Sequence, residues 1–154
     1  MTDLVIYYTR TNKTKTIAEE IAKEKDAQLL EVIDKTNRDG SIKFLTSAID
    51  AMRGKKTSIE YDAVDLSEYD TIYIGSPVWA SKATPAILEF VEENDFNNTN
   101  VVSFVTLTSN GAEKALDNLN DAIKSKGGKI IRSFSIITKD TDIIKLTHDA
   151  LNDE

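Results

Sequence analysis

A chain of 154 residues, 40% hydrophobic and 29% charged, can bury a core as a single domain without covalent staples. It has no cysteine and one histidine, His148, which excludes disulfides, thiol catalysis, thiolate metal sites and imidazole ligand clusters. A formal net charge of -7 argues against nucleic acid as the main partner, because phosphate binding needs a dominant basic surface. An acidic surface suits docking onto a basic partner, and solubility accounts for it equally well. Residues 1–30 hold no basic-then-apolar leader and no apolar run reaches membrane length, so a cytoplasmic protein with no membrane partner is expected.

Hydrophobic periodicity alternates along the chain. Asp3–Tyr8 reads as a short buried strand, and Thr14–Glu24 follows with Ile17, Ala18, Ile21 and Ala22 at helical spacing. Gln28–Ile33 is a second strand. Ile42–Met52 places apolar residues at i, i+3, i+4 and i+7, with Gly54 as a C-cap. The polar stretches Ile33–Ser41 and Lys55–Glu60 read as surface connections. Thr71–Gly75 is a third strand, after which Thr84-Pro85 supplies an N-cap and an N1 proline for a helix through Glu93. Val101–Thr106 is a fourth strand, and Ala112–Ser125 a helix stopped by Gly127-Gly128. Lys129–Ile137 is a fifth strand, and Thr141–Leu151 closes as a helix.

Repeated β–α units imply an α/β fold, a parallel sheet wrapped on both faces through right-handed crossovers. In such a doubly wound sheet, ligands sit beyond the carboxyl ends of the strands where strand order reverses. Attention therefore falls on residues 9–14, 76–82 and 107–112.

The first segment, Thr9-Arg10-Thr11-Asn12-Lys13-Thr14, runs from a strand straight into a helix. Hydroxyls and backbone N–H groups at a helix N-terminus suit a terminal phosphate, and the same threonines also suit ordinary capping. The glycine spacing and terminal lysine of a nucleoside-triphosphate loop are missing. The second segment carries Pro77, Val78, the lone Trp79 and Ala80. An indole on a loop there suits stacking on a flat heterocycle; the competing reading folds it back over the core. The third, Thr108-Ser109-Asn110-Gly111, can hydrogen-bond the edge of a planar ring or serve as a plain strand-to-helix turn.

Taken together, Val5-Ile6-Tyr7-Tyr8-Thr9-x-x-Asn12-x-Thr14-x-x-x-Ala18-x-x-Ile21 and the stretch GSPVWASKATPAI resemble the flavodoxin family over nearly the whole chain. The resemblance implies one flavodoxin-like domain over residues 1–154, with a five-stranded parallel sheet in the order 2-1-3-4-5, and FMN as cofactor. It also implies site residues. Thr9, Thr11, Asn12, Thr14 and the Lys13 N–H, with Arg10 beside them, would hold the phosphate. Trp79 would stack on the isoalloxazine, with Pro77, Val78 and Ala80 shaping its loop. Thr108, Ser109, Asn110 and Gly111 would line the other face or the pyrimidine edge.

This chain departs from the family pattern in three places. Asn12 stands where a glycine is usual, and asparagine tolerates positive φ better than most residues. Residues 107–112 hold no aromatic for the second flavin face. Arg10, Lys13 and Lys15 crowd the phosphate loop, where neutral donors are usual.

The leading functional reading is an electron carrier acting between redox partner proteins, with no catalytic side chain, since a bound flavin needs only orientation and electrostatic tuning. The alternative is an FMN-dependent NAD(P)H:quinone-type oxidoreductase, which an open second face favours. A receiver-type signalling domain fails, because Thr9-Arg10 and Gly75-Ser76 stand where its aspartates belong. Gly54-Lys55-Lys56-Thr57 is no phosphate loop, because Ile49 occupies the place of its first glycine and no strand precedes it. Oligomeric state has no sequence signal.

Overall fold

The computed structural model describes residues 2–35 and 58–152. The parallel strands are β1 (Thr2–Tyr7), β2 (Gln28–Glu31), β5 (Tyr69–Trp79), β7 (Asn100–Leu107) and β8 (Lys129–Ile137). Their order across the sheet is β2-β1-β5-β7-β8, every neighbouring pair parallel. Counting parallel strands alone, this is the order 2-1-3-4-5. The reversal falls between β1 and β5, so the loops after these two strands diverge and leave a crevice.

Among the described residues four helices clothe the sheet: α1 (Lys13–Lys25), α2 (Pro85–Glu93), α3 (Ala112–Ser125) and α4 (Ile143–Asn152). Ile17, Ala18 and Ile21 of α1 and Leu151 of α4 pack with Val5, Tyr7 and Phe104 on one face. Ile87 and Phe90 of α2 and Leu119 and Ile123 of α3 pack with Ile6, Ile72, Ile74 and Val105 on the other. Both faces of the central strands are thus buried, which explains their lack of polar alternation. Gly75 belongs to this packing, because a Cβ there would lie 2.1 Å from the Phe104 ring. Phe104 is itself fully buried and stacks on Phe134 at 5.4 Å.

The Thr84 cap forms as the sequence suggests, its hydroxyl accepting from the Ile87 N–H at 3.4 Å. Other boundaries differ. The third parallel strand does not stop at Gly75 but runs to Trp79, because β6 (Lys82–Ala83) folds back and pairs with it through Trp79↔Lys82 and Val78↔Ala83. The second strand stops at Glu31. Ile33 belongs instead to β3 (Ile33–Asp34), which pairs antiparallel with β4 (Ile59–Glu60), so the two polar connections meet in a small ribbon. The last helix starts at Ile143, where Asp142 accepts from the Lys145 N–H. The helix expected over Ile42–Met52, with its Gly54 cap, lies outside the described residues, as does Gly54-Lys55-Lys56-Thr57.

Candidate functional site

A cleft of about 210 Å³ opens at the carboxyl end of the sheet. One wall is the β1–α1 turn, with Arg10, Thr11, Lys13 and Thr14; another is the end of β5, with Pro77, Val78 and Trp79. The rest comes from Thr106, Leu107 and Thr108 at the end of β7 and from Thr138 just past β8.

The β1–α1 turn is built to leave backbone donors open. Asn12 takes the left-handed conformation, φ 67° and ψ 4°, so the residue in place of glycine makes the turn. It accepts from the Thr16 N–H and hydroxyl through its carbonyl, but its side chain does not cap the helix. The first-turn N–H groups of α1 therefore have neither an intrahelical acceptor nor a cap from the Asn12 side chain. Thr9 adds a second open donor, because its Oγ1 is fully buried with no hydrogen-bond partner. Buried hydroxyls are rarely left so, and a bound acceptor is one remedy. The helix dipole together with Arg10 and Lys13 makes this end of the cleft electropositive.

Thr14 is almost wholly buried, and its Oγ1 lies 2.8 Å from Oγ1 of Thr106, a pair that ties the turn to β7. Thr106 and Leu107 belong to the fourth-strand exit that the sequence singles out, and both line the cleft, whereas Thr138, an isolated threonine past a strand end, gives no sequence signal. The Thr138 N–H donates to the Leu107 carbonyl at 2.8 Å, a contact that only the β7–β8 pairing creates.

The β5–β6 hairpin is held from below. Buried Ser76 accepts from the Thr84 N–H at 2.9 Å, and the Ala83 N–H donates to Asn118 of α3 at 3.0 Å. Its two-residue turn, Ala80-Ser81, has φ of 53° and 60°. Positive φ at both central residues matches strand twist, but asparagine and glycine are the residues that take it cheaply. At Gly111, φ 99° and the nearness of Ser81 and Val78 leave little room for a side chain.

Trp79 requires a correction. It is not an exposed indole on a loop; it ends a strand with 4% of its surface exposed and meets Tyr8 edge-on, centroids 5.8 Å apart at 88°. Pairing with β6 keeps this segment in the sheet, so the indole lies against the core and offers the cleft only a remnant of its surface. Ala80 lies outside the cleft, lining with Ser81, Lys82, Lys114 and Asn118 a neighbouring depression of about 330 Å³. Thr9, Asn12, Ser109, Asn110 and Gly111 also lie outside its lining. Among the described residues no group of acidic and histidine side chains could hold a metal ion, and no helix is long and apolar enough to cross a membrane.

Comparison with curated proteins returns no match. Among solved structures, a flavoprotein from Lactobacillus acidophilus in complex with FMN is 29% identical, with a TM-score of 0.76 over 87% of this chain and 92% of that one. The apo form of the flavoprotein from the same organism is 27% identical, with a TM-score of 0.67 over 90% of this chain and 93% of that one. A flavodoxin from Fusobacterium nucleatum bound to flavin mononucleotide shares the fold at 18% identity, with a TM-score of 0.52 over 92% of this chain and 81% of that one. A family model described as flavodoxin matches residues 2–145, and the chain belongs to the flavodoxin family.

Proposed function

We propose that this protein binds FMN in the cleft at the β1/β5 crevice and carries electrons between redox partner proteins. The observation that carries the reading is the β1–α1 turn. It combines a helix N-terminus left uncapped by the Asn12 side chain, a buried hydroxyl without a partner on Thr9, and the cations Arg10 and Lys13. That donor set fits a terminal phosphate dianion. The 29% identical flavoprotein crystallised with FMN supports the same ligand.

In this reading the first-turn N–H groups of α1, with Thr11 and Thr14, hold the phosphate, and the buried Thr9 hydroxyl lies behind them. Pro77, Val78 and the exposed remnant of Trp79 flank the ring system, and Thr106, Thr108 and Thr138 close the opposite side. When bound, FMN would supply the redox chemistry. The chain would orient it between Pro77-Val78-Trp79 and Thr106-Thr108-Thr138 and set the charge around it through Arg10 and Lys13.

A second reading, an FMN-dependent NAD(P)H:quinone-type oxidoreductase, draws support from Trp79 being the single aromatic among the described residues lining the cleft. An uncovered ring face admits a nicotinamide or quinone. Titrating the purified protein with FMN and with riboflavin tests the shared part. Quenched flavin fluorescence with FMN bound the more tightly is expected, and no binding of either overturns it. Steady NAD(P)H oxidation with a quinone and no added reductase would favour the oxidoreductase over the carrier. We read the compartment as the cytoplasm, which cell fractionation tests.

A further inference from the structure

The charges are unevenly placed. Of 45 formally charged Asp, Glu, Lys and Arg side chains, 26 are acidic, yet among the described residues every charged one lining the cleft and its neighbouring depression is a cation. These are Arg10 and Lys13 in the cleft and Lys82 and Lys114 beside it. The two hollows flank the same β5–β6 hairpin, so their cations form one rim. Exposed Lys139 extends the rim just past Thr138. Exposed Glu113, Asp140 and Asp142, with Glu31 at the end of β2 and Asp34 and Glu60 of the β3–β4 ribbon, also lie at this end, so the cationic excess belongs to the two hollows and not to the whole end.

The opposite end of the sheet has the contrary balance. Asp65 and Glu68 precede β5, Asp70 lies at its start, and Glu92, Glu93 and Asp95 run from the end of α2 towards β7, outnumbering Lys124, Lys126 and Lys129 from the end of α3 to the start of β8. Net charge alone would suggest a basic partner, but an approaching protein feels the nearest charges most. The Debye length is about 8–10 Å at physiological salt, shorter than the sheet is long.

We infer that the rim of the cleft is a docking surface for the acidic face of a redox partner protein. This rests on the carrier reading, since the rim borders the cleft through which electrons would pass. Nucleic acid and anionic membranes are disfavoured as occupants because the small basic rim sits on a body of net charge -7.

The test uses one haem protein in two charge states, native basic cytochrome c and its succinylated, acidic form. The flavin-loaded protein is photoreduced without oxygen, with EDTA as the sacrificial two-electron donor, and mixed with each ferric form; each haem takes one electron, and the two-electron-reduced flavin serves two haems, its protons passing to water. Electrostatic steering changes association rates by roughly 10- to 1000-fold, so the acidic form should react at least about tenfold faster at low salt. That advantage should vanish as salt rises, and the double variant Lys114→Glu/Lys139→Glu should abolish or invert it. Faster reaction with the native basic form, or a salt-independent ratio, overturns the inference. So does co-sedimentation of the protein with phosphatidylserine vesicles at the same salt, which would make the rim a membrane surface. Binding of the two cytochromes to the immobilised protein reads the same contrast without flavin. Failure to load FMN therefore defeats the carrier reading alone, while equal binding of both cytochromes defeats the docking surface.

Discussion

The Thr14–Thr106 pair offers the sharpest test of how the cleft is held. The two hydroxyl oxygens lie 2.8 Å apart, joining residues 92 positions apart in sequence, and the residues are 2% and 4% exposed. Thr106→Val keeps the shape but strands the Thr14 hydroxyl in a buried site. Leaving a buried donor or acceptor unpaired costs about 1–3 kcal/mol. At about 2–4 °C per kcal/mol for a domain of this length, the melting temperature should fall by about 2–12 °C. The double variant Thr14→Val/Thr106→Val removes both polar groups and should be clearly less destabilised than the sum of the singles. Urea unfolding of the four proteins, followed by circular dichroism, gives the coupling directly. If the singles add within about 0.3–0.5 kcal/mol, the hydroxyls do not depend on each other and the reasoning is wrong. A ligand arm separates scaffold from site. If the pair orients Thr14 towards a phosphate, Thr106→Val weakens FMN binding more than riboflavin binding, and Thr106→Ser restores it.

Three further outcomes follow from local geometry. Ala80→Gly should stabilise the protein by up to about 1–2 kcal/mol, and Asn12→Val should destabilise it by at least that much, because both positions have positive φ; unchanged denaturation midpoints would contradict this. Gly75→Ala should cost about 1–3 kcal/mol by driving a methyl into the Phe104 ring, and Gly75→Ala/Phe104→Leu should recover part of it in the same assay. The Tyr7 phenol is pushed up to about 12, chiefly by burial and then by Glu31 and Glu19, and burial raises Tyr61 and Tyr73 as well. Because the fold favours their protonated form, their contribution to stability is intact below about pH 10, the ordinary tyrosine value, and is lost as pH climbs towards the raised values. Phenolate absorbance should therefore lag in the folded protein and appear at ordinary pH once it is unfolded.

Much of this architecture could be read from local chemistry. Thr84-Pro85 announces a helix start, and the capping bond to the Ile87 N–H is there. Ile17, Ala18 and Ile21 repeat at helical spacing, and all three are fully buried against the sheet. Asn12 can hold positive φ without help, so the turn forms where its sequence allows it. Signals of this kind depend on residues within a turn or two of each other, and alternation of such elements leaves few arrangements for a domain of this size.

Trp79 shows where that reach ends. Whether an indole after a strand faces solvent or core depends on what the chain does next. Here Ala80 and Ser81 adopt positive φ despite their side chains, and the return strand carries the indole inward against Tyr8. Thr106 and Thr138 acquire their places in the cleft only when β7 lies between β5 and β8. The basic rim likewise gathers Arg10, Lys82 and Lys114 from three separate crossovers, while total composition reports only an acid excess. Periodicity and capping act through the backbone over a few residues, so the sequence alone determined the order and type of elements. Burial, hydroxyl pairing and local field depend on which distant groups become neighbours, and those only the tertiary structure decided.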